Sequence, residues 1–167
     1  MKNKWIILVV SFLMFIPSMS VAQGLDACNL ITMEQAQKAA GVKVAEGKLT
    51  DMEEASGISL MAGKTLCHFE SLDAEHYRRF VSVDLTVKKS HAEAMEAFND
   101  MAAFISSPEH VTGIGDKAVW SEEIKSPFGE LHVVSGSYVL IIKINSGKEK
   151  NNLKQAKNLA MIALKKL

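Results

Sequence analysis

Between Glu130 and Asn145, two β-prone runs are separated only by Gly136-Ser137, and that spacing leaves the chain little choice of fold. A two-residue connection of this composition closes a hairpin, so Glu130–Ser135 and Tyr138–Asn145 are expected to lie side by side and antiparallel. Ser126-Pro127-Phe128-Gly129 turns the first of them back onto a strand running from about Lys117 to Ile124. Val139–Ile142 is an almost unbroken apolar run, which places its strand near the sheet centre with both faces covered. Arg79–Lys88 instead alternates, with Phe80, Ser82, Asp84 and Thr86 opposing Val81, Val83, Leu85 and Val87. That pattern predicts a half-buried antiparallel strand with one wet face. Leu66–Ser71 reads as a further strand and Val42–Ala45 as a short one.

Three helices accompany these strands. Thr32-Met33-Glu34-Gln35 matches a capping box, Ile31 is placed as a hydrophobic staple, and Gly41 stands at the left-handed C-terminal cap of a helix within Cys28–Gly41. Ser90 and Glu93 form a second capping box. Behind it, Met95, Phe98, Met101, Ala102 and Ile105 recur at helical spacing, with Pro108 beyond the end. In Glu149–Leu167, Leu153, Ala156, Leu159, Ala160, Ala163, Leu164 and Leu167 form one apolar face and lysines the other. The order α, β, β, α, β, β, β, α defines an α+β domain: a mostly antiparallel sheet of about five strands flanked by three helices. Glu46–Lys64, rich in Gly, Ser and acidic residues, reads as a long loop with a helical turn near Met52–Ala55. Long loops in small domains are functional or disordered, so loop 46–64 is the expected partner surface, together with the sheet edge.

The amino-terminal segment sets the compartment. Lys2 and Lys4 precede an apolar run from Trp5 to Ile16, broken only by Ser11 and ended by Pro17-Ser18. About a dozen residues make a helix of roughly 18 Å, short of the ~20 residues a membrane crossing needs. Ser20-Val21-Ala22 is a small-x-small cleavage pattern, so residues 1–22 are expected to be a signal peptide and 23–167 a single domain, periplasmic or secreted, with no membrane span after cleavage. Leu25-Asp26-Ala27-Cys28 has a lipobox outline. Asp26, however, charges a normally uncharged position, and Cys28 lies beyond a complete alternative cleavage site, which argues against lipidation.

Composition removes several partners. The chain carries 19 Lys+Arg against 19 Asp+Glu, and two of the lysines fall in the leader. The remaining domain is weakly acidic and presents nothing that attracts nucleic acid. Aromatics make up only 7% of the chain, too few for a base- or sugar-stacking surface.

Cys28 and Cys67 are the two cysteines. In an exported protein they read first as one disulfide, closing a loop of roughly 40 residues that would contribute about 3–4 kcal/mol by constraining the unfolded chain. A metal site from Cys28, Cys67 and His68 is the alternative; it has no CxxC or HxxxH spacing and no evident fourth ligand.

The histidines His68, His76, His91, His110 and His132 are the remaining candidates for metal or acid–base chemistry. None sits in a ligand spacing. His68 and His132 lie within strands and could meet across the sheet, whereas His91 opens a helix and His110 follows Pro108 in a loop. Glu53-Glu54, Glu75-His76 and Glu122-Glu123 read as solvated charges. Val111-Thr112-Gly113-Ile114-Gly115-Asp116 fails as a phosphate loop because it follows a helix and opens a strand, the reverse of the required order. Asp116 there is expected to close a turn onto its own backbone. No serine stands in a GxSxG elbow, and Met33, Met95, Met101 and Met161 fall on helices where core packing accounts for them.

Taken together, Asp26-Ala27-Cys28-Asn29-Leu30-Ile31-Thr32, the helix ending at Gly41, a second cysteine in the first main strand, Gly113-Ile114-Gly115-Asp116-Lys117-Ala118-Val119-Trp120 and the terminal Ala/Leu/Lys helix resemble a group of bacterial secreted proteins and lipoproteins of unknown function, similar in fold to the PsbP-like α/β/α sandwiches. The resemblance implies a paired Cys28 and Cys67 and a sheet flanked by helices; it carries no catalytic residues and no cofactor. The resulting expectation is an exported non-catalytic binding domain for an unidentified protein or small ligand. The alternatives are a periplasmic metal-binding protein using His68, His76 or His132 with carboxylates, and a small hydrolase built on Glu and His.

Overall fold

In the computed structural model, which describes residues 25–56, 63–76, 78–122 and 128–167, the strands join into one sheet in the order β1-β2-β3-β7-β6-β5-β4. They are β1 Lys48–Asp51, β2 Lys64–Glu70, β3 Phe80–Val87, β4 Glu109–Val111, β5 Lys117–Glu122, β6 Gly129–Ser135 and β7 Tyr138–Asn145. Every neighbouring pair is antiparallel. The helices are α1 Met33–Ala40, α2 Met52–Ser56, α3 His91–Ala103 and α4 Glu149–Leu164. The expected signal peptide lies outside the described residues. No described helix is long and apolar enough to cross a membrane.

The α+β class is as expected, but the sheet has seven strands rather than about five. The two additional ones are the edges, β1 and β4. β1 comes out of the segment read as loop 46–64, where its register with β2 pairs Leu49 with Cys67 and Thr50 with Leu66. β4 places His110 opposite Val119, so this histidine is in a strand and not a loop. Val42–Ala45 forms no strand of its own; Val44 makes an isolated bridge to Ser71.

Local capping follows the sequence closely. The Thr32 side chain accepts from the Gln35 amide while Gln35 Oε1 accepts from the Thr32 amide, and Gly41 ends α1 in left-handed backbone at φ 70°. Ser90 Oγ accepts from the Glu93 amide at α3, but Glu93 reaches back to the Lys89 amide instead of completing the box on Ser90. α4 starts without a side-chain cap on Lys148. Instead, buried Asn152 Oδ1 accepts from both the amide and the hydroxyl of Ser146, fixing where the helix leaves β7.

Side chains alternate across each strand, and register decides which of them share a face. On one face, Val81, Val83, Leu85, Leu140, Ile142 and Ile144 pack beneath α1 and α4 in the main core. The other face is divided. Val119, Val134 and Val139 pack under Ala94 and Phe98 of α3, forming a second, smaller core. Beyond the last turn of α3 the same face carries polar side chains. Ser82 and Asp84 belong to it, and both are buried, which corrects the expectation of a wet face on β3.

Candidate functional site

The polar half of that face is a row built by register. Reading across the strands, His68 stands opposite Ser82, Ser82 opposite Lys143, Lys143 opposite Glu130, and Glu130 opposite Ser121. One step along, Asp84 is opposite Ile141, and Ile141 opposite His132. Residues scattered over more than sixty positions of sequence therefore meet on one surface.

Asp84 sits at its floor, its side chain 4% exposed, between two ammonium groups. Lys64 Nζ and Lys143 Nζ each stand 3.7 Å from Asp84 Oδ2, and the Ser82 hydroxyl donates to Oδ1 at 3.1 Å. Lys143 Nζ also lies 3.6 Å from Glu130 Oε1. The other Glu130 oxygen is 3.1 Å from His132 Nε2. An ionised carboxylate can only accept, so Nε2 is the donor. Nδ1 of His132 is buried and has no partner among the described residues. The His132 hydrogen bond holds the Glu130 carboxyl below its ordinary value; burial opposes this, and the Lys143 charge adds to the lowering.

Above these groups opens a cleft of about 640 Å³. Its polar side includes Lys64, Asp84, Glu130, His132 and Lys143, and its apolar side Met101, Phe104, Ile105, Phe128 and Ile141. Phe104, just past the end of α3, is 89% exposed. Phe128 leans on Phe80, which in turn stacks loosely on His68. The volume falls within the range of small-ligand pockets, and the mixture of an apolar wall with a few convergent polar groups is typical of them.

The other residues singled out from sequence are placed elsewhere. Cys28 and Cys67 form a disulfide that ties the turn before α1 to the middle of β2, so neither is a metal ligand. His68 and His132 do not meet, because β3 and β7 lie between their strands; at about 4.8 Å per strand that is roughly 14 Å. His68 Nε2 is instead 3.5 Å from Glu70. His91 Nδ1 bonds to the Gly136 carbonyl and so tethers α3 to the β6–β7 hairpin. Asp116 accepts from the Gly136 amide across the sheet, and not from its own turn as expected. His110 stands exposed in β4.

A second cluster gathers Asp73, Glu75 and His76, whose ligand atoms lie within 4.8 Å of one another. Asp73 bonds the His76 ring at 2.7 Å and accepts from the Glu75 amide at 2.9 Å, and these bonds, the His76 one foremost, keep its carboxyl below the ordinary value. The same bonds close a local turn, which accounts for the arrangement without an ion. A further cleft of about 650 Å³ runs between α1, α4 and Gly113–Gly115. It is largely apolar in lining, with Lys38 and Lys165 as its charged residues and no carboxylate among them. Of loop 46–64, the described part is β1, α2 and the approach to β2.

No family model and no curated protein matches this chain. Among solved structures, its fold is similar to the extracellular domain of PknH from Mycobacterium tuberculosis, at 11% identity and a TM-score of 0.53, covering 86% of this chain and 97% of that one. A GTP-binding regulator from Thermotoga maritima aligns at 8% identity and a TM-score of 0.44, over 80% of this chain and 87% of that one. At these identities the likeness to the PknH domain is one of fold: an antiparallel sheet with helices on its faces.

Proposed function

We propose that the chain is an exported, non-catalytic binding domain whose ligand seat is the half of the sheet face left open by α3. The observation that carries this reading is the cleft itself, in which a buried carboxylate bracketed by two lysines faces an apolar wall. Export is supported by the signal-like residues 1–22 and by a disulfide of the kind that persists in oxidising compartments. The PsbP-like resemblance is consistent with the helix–sheet–helix layering. Amide chemical-shift mapping of the oxidised protein against a panel of small charged and apolar molecules tests the placement. Shifts should fall on Lys64, Asp84, Phe104, Glu130 and Lys143. Binders that map to the α1–α4 side would overturn it.

A cation site at Asp73, Glu75 and His76 is a second reading, favoured by the convergence of their ligand atoms. Dialysis against Zn²⁺ or Cu²⁺ with metal analysis tests it, and a stoichiometry near zero would end it. The hydrolase reading has Glu130 and His132 together in the cleft, but among the described residues no hydroxyl or thiol is hydrogen-bonded to His132.

A further inference from the structure

We infer that the cleft takes an amphipathic anion, its carboxylate head on Lys64 and Lys143 and its apolar tail along Met101, Phe104, Ile105 and Phe128. This rests on the cleft being the ligand seat, and it goes further by fixing the sign of the ligand's charge and adding an apolar tail.

The sign follows from which charges reach the opening. Lys64 and Lys143 side chains are 23% and 33% exposed, whereas Asp84 between them is 4% exposed. The carboxylate is therefore the floor, and the ammonium groups form the layer that an incoming ligand meets. Glu130, 26% exposed, has both oxygens engaged, one by His132 and one by Lys143. Glu122 at the rim is open to water.

Donor capacity points the same way. The lysine–carboxylate distances of 3.6 and 3.7 Å exceed those of charge-assisted hydrogen bonds, about 2.7–2.9 Å. The two ammonium groups are close enough to neutralise Asp84 and Glu130, yet keep N–H donors for an anion. A carboxylate bridging them would gain short charge-assisted bonds without displacing Asp84 or Glu130. A cation would have to enter past both lysines and compete for acids that they already neutralise.

The tail is matched by the apolar wall, where Met101, Phe104, Ile105 and Phe128 line the same opening. An aromatic ring 89% exposed at the lip of a charged cleft, beside Phe128, loses contact with water only when something apolar covers it.

Isothermal titration and amide-shift mapping of the oxidised protein with octanoate, acetate, 1-octanol and octyltrimethylammonium decide the matter. Octanoate should bind in the cleft, with acetate and 1-octanol each at least about tenfold weaker and the cation without effect there. Lys143→Gln and Lys64→Gln should each weaken octanoate several-fold. Phe104→Ala, at a position too exposed to disturb folding, should do the same while leaving acetate unchanged. Cleft binding of octyltrimethylammonium or 1-octanol as strong as that of octanoate would overturn the anionic assignment and leave the cleft as the seat. Silence of every cleft amide toward all four probes and the wider panel would overturn both.

Discussion

Cys67 in the middle of β2 is joined to Cys28 in the turn before α1, a covalent link over a sequence separation of 39 residues. Cys67 is fully buried, and the Ala27 amide donates to Thr65 Oγ1 on the same strand, so the bond reinforces a contact that the chain already makes. Loop closure of this length is worth about 3–4 kcal/mol in the unfolded-chain model. Cys28→Ser/Cys67→Ser should lower the urea-extrapolated stability by that amount, and reduction of the native protein should match it. An unchanged midpoint on reduction would contradict the assignment.

Gly129 opens β6 directly beneath the Trp120 indole, where any Cβ would meet the ring. Trp120 is buried in the main core and cannot swing out freely. Gly129→Ala should cost about 1–3 kcal/mol through overpacking. The companion change Trp120→Phe should recover part of that loss, a compensation that a purely backbone effect would not show.

Phe98 and Phe104 sit on and just beyond α3 with opposite environments, the first fully buried and the second almost fully exposed. Phe98→Ala should destabilise by about 3–5 kcal/mol because it empties the smaller core. Phe104→Ala should stay within about 0.5 kcal/mol. Equal losses from the two variants in chemical unfolding would mean that the cleft wall is packed against something in the free protein.

Asp84 is the buried charge on which two lysines converge. Asp84→Asn removes the attraction and leaves both ammonium groups crowded. A loss of about 1–3 kcal/mol is expected, relieved in part by added salt because the lysines are partly exposed to solvent. Greater stability in the variant would show that the carboxylate is retained for binding rather than for folding.

Glu130 is held below its ordinary value by its bond to His132 and by Lys143. A carboxyl depressed on folding stabilises fully above the unfolded-state value and loses that contribution as pH falls through the folded-state value. The protein should therefore lose stability on the acid side of the ordinary glutamate range, and Glu130→Gln should flatten that limb. Urea midpoints near pH 7 and pH 3 measure the difference; parallel pH profiles for the two proteins would rule out a role for Glu130.

Features written within a few residues could be read directly. The Thr32–Gln35 box, the Gly136-Ser137 hairpin and the central position of β7 each depend on neighbours in sequence, and each is found where expected. β1 and β4 are too short to show alternation and exist only because β2 and β5 offer them a ladder. Ser82 and Asp84 had the signature of a wet face, and nothing local reveals that Lys64 and Lys143 fold over them. The cleft was hidden for the same reason. Its residues come from β2, β3, β5, β6, β7 and the end of α3, and only the register makes them neighbours.

β7 is the last strand along the chain and the fourth across the sheet. Without it, β1–β3 and β4–β6 are two separate meanders that share no strand pairing among the described residues. The pairing of Phe80 with Asn145 is thus a closing event that must wait until nearly all of the chain is available. Long-range closure of this kind is slow. Until β7 is in place neither meander can join the other, so one strand alone turns two edge-exposed halves into a continuous sheet.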